Sequence, residues 1–204
     1  MRRLTFFLTL AFVALLAANS ANAQADPPPP PPPVPDYSPQ RWKEYVYEQD
    51  NVRFRFPVEP KIKTTSTNES FGTVMSRSYR RESFLVLELT VNEYPADIDF
   101  EKAMPSKELL EKMRDAGLAE VKDVNPKVIR ESDITVDGHA GKFLHVETSN
   151  GQSIRLKFFV VKNRMYFSYA EVRKGQKHGT NYENDFEQVA MGFLDSIRLV
   201  SAGK

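Results

Sequence analysis

The stretch KFLHVETSNGQSIRLKFFVVK, residues 142–162, decides the fold. Two apolar-rich runs, Lys142 to Ser149 and Gln152 to Lys162, flank the dipeptide Asn150-Gly151. Asn-Gly between two such runs predicts a tight β-hairpin, with positive φ at both residues of a type I′ turn. Working outward, Asn163-Arg164 turns the chain into a strand over Met165 to Val172. Upstream, Val128 to Val136 reads as a strand broken by Asp137-Gly138. Phe84 to Tyr94 is the clearest long strand, with Leu85, Leu87, Leu89 and Val91 on one face. Its opposite face, Phe84, Val86, Glu88 and Thr90, is half polar. Residues of alternate parity lie on opposite sides of a sheet, so this strand has one side fully buried.

The remaining segments fit around that centre. Glu44 to Glu48 and Asn51 to Phe56 form a first hairpin across Gln49-Asp50, with Val52, Phe54 and Phe56 alternating against Arg53 and Arg55. Lys61 to Ser70 holds five Ser or Thr residues and reads as a loop or weak strand. Phe71 to Tyr79 is a strand, and Arg80-Arg81-Glu82 reads as the turn after it. Ser106 to Ala116 is a first helix, capped by Ser106, striped by Leu109, Leu110 and Met113, and ended by Gly117. Asn181 to Ser196 is a second, with Thr180 and Glu183 at capping-box spacing and a wide stripe of Phe186, Val189, Ala190, Phe193, Leu194 and Ile197. Gly192 interrupts that stripe and predicts a close approach. The fold class that follows is α+β: an antiparallel sheet of about six to seven strands flanked by two main helices, packed as a sandwich.

The order of motifs resembles the PsbP-like superfamily. The resemblance runs from Phe54-Arg55-Phe56-Pro57 through Gly138-His139-Ala140-Gly141, the Lys142 to Lys162 hairpin and Met165-Tyr166-Phe167. It closes on Phe186 and on Phe193-Leu194-Asp195-Ser196-Ile197, and covers roughly Tyr45 to Val200. It implies an antiparallel sheet flanked by helices in a protein that docks or assembles with others rather than turning over a substrate. No binding residue of better-known members matches a position here, so the resemblance assigns no site.

The chain has 204 residues and divides into three. Residues 1–23 read as a secretory signal peptide, with basic Arg2-Arg3, an apolar run from Leu4 to Ala18, and small residues in Ala21-Asn22-Ala23. The apolar run falls short of the ~20 residues that span a bilayer, so no transmembrane segment is expected in the mature chain. Residues 24–40 form a proline-rich linker; Pro27 to Pro33 are consecutive and build a polyproline rod with about 22 Å of reach. Residues 41–204 form a single domain, large enough to be stable without disulfides. The expected location is periplasmic or extracellular.

Composition narrows function. There is no cysteine, which excludes disulfides, thiolate metal sites and a cysteine nucleophile. Without Arg2 and Arg3, 26 basic residues face 27 acidic ones, unlike the basic surplus of a nucleic-acid binder. No GxSxG, HExxH, Walker or dinucleotide motif is present. No catalytic residue and no cofactor are expected. Glu88, Asp97, Asp99 and Glu101 are carboxylates without a partner fixed by spacing, and Asp97-Ile98-Asp99-Phe100-Glu101 lacks the glycine of a calcium loop. His139, His145 and Glu147, on one strand and its adjoining turn, are the only candidate metal ligands. The candidate interaction residues fall in three groups. Trp42, Tyr45 and Tyr47 follow the linker and either anchor a partner or seal the sheet edge. Arg77, Arg80 and Arg81 cluster near one turn, and Arg173, Lys174 and Lys177 near another; both suit an acidic protein or peripheral contact with an anionic membrane. Arg155, Lys157, Phe159 and Val161 share a strand face that predicts cover by a helix or a partner.

Three functions are open at this level. The leading one is an exported, non-enzymatic protein-binding or assembly domain with an envelope or extracytoplasmic partner. The alternatives are a small-ligand or lipid carrier of the cell envelope, and a hydrolase without a recognisable motif.

Overall fold

A computed structural model describes residues 39–82, 85–120, 122–172 and 182–200. The elements in chain order are β1 (Lys43–Tyr47), β2 (Val52–Phe56), β3 (Lys61–Glu69), β4 (Gly72–Glu82), β5 (Leu85–Glu93), α1 (Phe100–Ala103), α2 (Ser106–Glu120), β6 (Lys127–Val136), β7 (His139–Glu147), β8 (Ser153–Val161), β9 (Arg164–Val172), α3 (Tyr182–Leu194) and β10 (Arg198–Leu199). The fold is α+β, as the pattern predicts. A seven-stranded antiparallel sheet runs β3-β4-β5-β9-β8-β7-β6, and a three-stranded sheet runs β1-β2-β10.

The large sheet is two meanders joined at its centre. The chain zigzags inward from β3 to β5, leaves the sheet through α1 and α2, and re-enters at the far edge as β6. It then zigzags back to β9, which pairs with β5 along its whole length, Leu85 to Val172 through Glu93 to Arg164. The helical crossover therefore lies over the β6–β9 half.

Each face has its own core. On one, α1 and α2 pack Phe100, Leu109, Leu110 and Met113 on Leu144, Val146, Phe158, Val160, Met165 and Phe167. On the other, α3 and the small sheet bury Val52, Phe54, Phe56, Phe193 and Ile197 against Tyr79, Leu87, Leu89, Phe159 and Tyr166. The alternation in β5 matches this division, with Leu85, Leu87, Leu89 and Val91 facing the second core.

Several local expectations change. Lys61–Glu69 is a regular nine-residue strand, because β4 supplies a continuous ladder that compensates for its polar side chains. Arg80-Arg81-Glu82 is no turn; β4 runs straight through it, paired with Val86, Leu87 and Glu88. Helix α2 continues through Gly117 to Glu120, since nothing there requires a positive φ. A short helix, α1, begins at Asp99, whose carboxylate accepts the Lys102 N–H at 3.3 Å. One of the three spaced carboxylates is thus a helix cap.

The Asn150-Gly151 hairpin forms, but with a different turn. Gly151 has φ +79° while Asn150 keeps a negative φ, so the turn is not type I′. Gly151 N–H donates to Thr148 O at 2.9 Å, and Asn150 Oδ1 accepts from Gln152 N–H at 3.3 Å. Asn150 spends its side chain on closing the loop and leaves the left-handed position to glycine. Asp137-Gly138 is the hairpin with two positive φ values, +48° and +91°.

Gly192 does mark a close approach. A Cβ there would sit 2.6 Å from the Pro39 ring. Pro39–Arg41, a single helical turn, thereby rests on α3, and Trp42 beside it is buried. Thr180 and the N-terminal cap of α3 lie outside the described residues, as do the signal peptide and the proline run.

Candidate protein-interaction half of the sheet

The β3–β4–β5 half differs from the rest in what covers it. None of its residues belongs to the core under α1 and α2. On that side it presents Ser76, Ser78 and Arg80 of β4 and Glu88, Thr90 and Asn92 of β5, all half-buried, between the buried Val74 of β4 and Val86 of β5. Register places them in direct cross-strand pairs: Ser76 with Asn92, Ser78 with Thr90, Arg80 with Glu88. Each pair is bonded. Ser76 Oγ donates to Asn92 Oδ1 at 2.6 Å, the Ser78 and Thr90 hydroxyls are 3.0 Å apart, and Arg80 Nη1 reaches Glu88 Oε2 at 2.8 Å. The next strand extends the last row, with Tyr169 OH donating to Glu88 Oε2 at 2.9 Å. Burial, with the Glu88 charge second, raises the Tyr169 phenol well above its ordinary value and keeps it a donor. Glu171, on the same side, is raised by burial against the opposing effect of Arg80.

Beneath the opposite face lies a buried ion network. Asp50, in the turn between β1 and β2, is fully buried. Its carboxylate takes Arg77 Nε and Nη2 at 2.5 Å and the Tyr79 hydroxyl. Tyr166 OH donates to Asp50 O at 2.9 Å. Arg77 continues to Glu93 at 2.8 Å, and Arg164 reaches the other oxygen of Glu93 at 2.7 Å. Burial alone would raise the Glu93 carboxyl, but Arg164 and Arg77 outweigh it and hold it below the usual carboxylate range. Burial raises Tyr166 to about 12. The network clamps the β1–β2 hairpin onto β4 and β9 and satisfies every charge it buries.

The sequence candidates separate accordingly. Arg77 and Arg80 do not form one basic patch: they lie on opposite faces of β4, each bound to carboxylates. Arg81 shares the Arg77 face. Arg173, Lys174 and Lys177 lie outside the described residues. Trp42 is inside the core, and its indole N–H has no partner among the described residues. Tyr47 stacks on Phe54 and packs on Tyr79, centroids 5.5 and 4.2 Å apart, while Tyr45 is half-buried. Trp42 is therefore part of the core, and Tyr45 and Tyr47 pack against it while staying partly exposed. The Arg155–Val161 face is covered by α3: Lys157 Nζ donates to Leu194 O at 2.9 Å, and Arg155 pairs with Glu187 at 2.8 Å.

His139 and His145 sit at opposite ends of β7, about 20 Å apart at ~3.4 Å per residue. His139 Nδ1 meets Glu101 Oε1 at 2.8 Å, whereas His145 meets Ser153 Oγ at 3.3 Å and lies 3.7 Å from Glu147. Burial, then Arg155, lowers His145 below its ordinary value. Among the described residues no three His, Asp or Glu side chains converge on a metal position. No described helix is long and apolar enough to cross a membrane.

Asp50 is the feature that sequence reading missed, while β3, read as a loop or weak strand, is a regular strand at the sheet edge. An acid in a turn carries no mark of burial, and β3 has no apolar alternation.

No family model and no curated protein matches the chain. Solved structures do. The solution structure of cyanobacterial PsbP (CyanoP) from Synechocystis sp. PCC 6803 is similar at TM-score 0.46 and 12% identity, over 84% of this chain and 98% of that one. The crystal structure of PA94, a protein of unknown function from Pseudomonas aeruginosa, is similar at TM-score 0.30 and 14% identity, over 64% and 82%. Both are remote likenesses of shape, the first of them to the PsbP-like fold.

Proposed function

We propose that this chain is an exported, non-enzymatic protein-binding domain of PsbP-like type that meets its partner through the β3–β4–β5 half. The carrying observation is the half-buried polar face there, whose side chains are already bonded to one another. Such a face is pre-organised and costs little side-chain entropy to cover. Its serines, threonines and Arg80–Glu88 pair suit a polar, reversible interface. Export is supported by residues 1–23 alone, and the proline rod holds the domain off its neighbour. Pro39, six residues after the last of the consecutive prolines, packs on Gly192 of α3.

The test places a photo-crosslinking residue at Lys63, exposed on β3 beside this face, and a control at Lys112 on α2, in the native cell. Irradiation at 63 should trap a specific extracytoplasmic protein that 112 does not. Equal adducts at both positions, or no heterologous adduct at 63, overturns the reading. Deleting residues 27–38 while keeping Pro39 should lower the yield if the rod supplies reach.

A further inference from the structure

The edge of this half carries its own message. Strand β3 is the terminal strand of the large sheet, nine residues long, with only β4 beside it among the described residues. An exposed edge of that length offers a row of unpaired backbone groups to any second strand. Natural proteins block such edges with lysine, but the distribution of charge along this strand differs from a simple block. Its charged residues are Lys61 and Lys63 at one end and Glu69 at the other, all on one face. Among the described residues none of the three makes an ion pair. Lys61 is instead placed directly opposite Arg80 of β4, a like charge.

A second β3 laid antiparallel about a two-fold axis at Thr65 resolves this. Lys61 then faces Glu69 of the other copy, Lys63 faces Thr67 and lies diagonal to the same Glu69, and Thr64 faces Ser66. Opposite charges and Thr–Thr or Thr–Ser pairs are the favourable cross-strand neighbours. Symmetry makes every contact twice. A parallel pairing in register would instead oppose lysine to lysine and glutamate to glutamate. Pro60, without an N–H, and the Ser70-Phe71 turn end the strand on both sides, so the ladder is limited to these nine residues.

We propose that two copies of this chain pair antiparallel along β3, about a two-fold axis at Thr65, to give one continuous sheet of fourteen strands. The proposal rests on the β3–β4–β5 half being the interaction half and names the occupant of its edge. It differs from a heterologous partner on the polar face, which the photo-crosslink at Lys63 tests separately.

Two measurements on the full mature chain decide it. Sedimentation velocity over a range of concentrations should show a monomer–dimer equilibrium. Glu69→Lys should weaken it by about tenfold or more. The double exchange Lys61→Glu with Glu69→Lys should restore it, which a fold defect would not allow. A monomer at every concentration overturns the proposal, as does a dimer indifferent to both variants. The second measurement uses the absence of cysteine. Thr65→Cys should form a disulfide-linked dimer under mild oxidation, since directly opposed Cβ atoms lie within reach. Ile62→Cys, which faces Asn68 in this register, should not. Equal crosslinking of the two variants overturns the register.

Discussion

The same sheet is built in two ways on either side of the β5–β9 pairing. In the β6–β9 half both faces are covered, one by α1 and α2, the other by α3. In the β3–β5 half the small-sheet face is closed, and among the described residues the other face adds nothing to the core under α1 and α2, although Val74 and Val86 on it are buried. A single cross-strand row shows the change: Ser78 and Thr90 lead into Phe167 and Phe158. Going from β4 to β8 the side chains turn from hydroxyls to stacked rings, with Phe158 and Phe167 centroids 5.9 Å apart. One half is held by dispersion and exclusion of water. The other has that kind of core on one face only, with polar pairs on its second face and a buried ion network at its β1–β2 contact.

The sharpest way to break the comparison is a matched truncation along that row. Phe158→Ala should cost about 3–5 kcal/mol, because it empties a buried position between α2 and the sheet. Urea unfolding followed by Trp42 fluorescence reads it. A loss under about 1 kcal/mol would mean that the covered half is not the stable one.

The next test attacks the closed face of the other half. Asp50→Ala leaves Arg77 and the Tyr79 hydroxyl without their buried carboxylate acceptor, while Tyr166 keeps the backbone carbonyl of residue 50. Breaking a buried pair costs about 3–5 kcal/mol; Arg77 keeps Glu93, so the lower end is expected. The β1–β2 hairpin should loosen first, with amide exchange rising at residues 52–56 before it rises in β8. Uniform exchange across both sheets would make Asp50 part of one global unit rather than a local clamp.

How much of this was legible depends on whether a residue's role is periodic. The covered half was readable because Phe158, Val160, Met165 and Phe167 must be apolar, and their spacing is that of a strand. In the open half β5 was equally readable, but β3 and the end of β4 share their polarity with loops. Lys61 to Ser70 reads as a loop or weak strand from its threonines, and Arg80-Arg81-Glu82 as a turn from its charge, because pairing with a neighbour leaves no trace in a strand's own composition. Asp50 was invisible for a related reason: its burial is set by Arg77, Tyr79 and Tyr166, which lie 27, 29 and 116 residues away. Gly192 was legible as a close approach, while its neighbour, Pro39, was not. The Asn150-Gly151 hairpin was readable as a hairpin, but its turn type depended on how the asparagine side chain bonded.

The pH dependence sharpens the contrast further. Glu93 has a carboxyl held below the usual range in the folded state. Its stabilisation is therefore complete above that range and is lost as pH falls through it toward the lowered folded value. At 30% side-chain exposure the effect is screened and should stay under about 1 kcal/mol. Glu93→Gln should be less stable than the parent at pH 7, and the gap should close on acidification. A constant gap from pH 7 to pH 3 would show that Glu93 acts by shape rather than charge.

The smallest effect is the most informative about function. Ser78→Ala removes one hydroxyl from the polar row and leaves Thr90 bonded to Glu88 at 3.1 Å. Since the site is only half-buried, water can replace the lost partner, and the cost should stay below about 1 kcal/mol. The Phe158→Ala loss exceeds it several-fold although the two residues share a row. If the open face binds a protein, Ser78→Ala combined with Thr90→Ala should reduce the crosslink yield at Lys63 while the melting temperature shifts by only a few degrees. Stability and partner capture would then respond to different halves of one sheet. If instead the double variant unfolds as readily as Phe158→Ala, the polar row is structural and its openness has another cause.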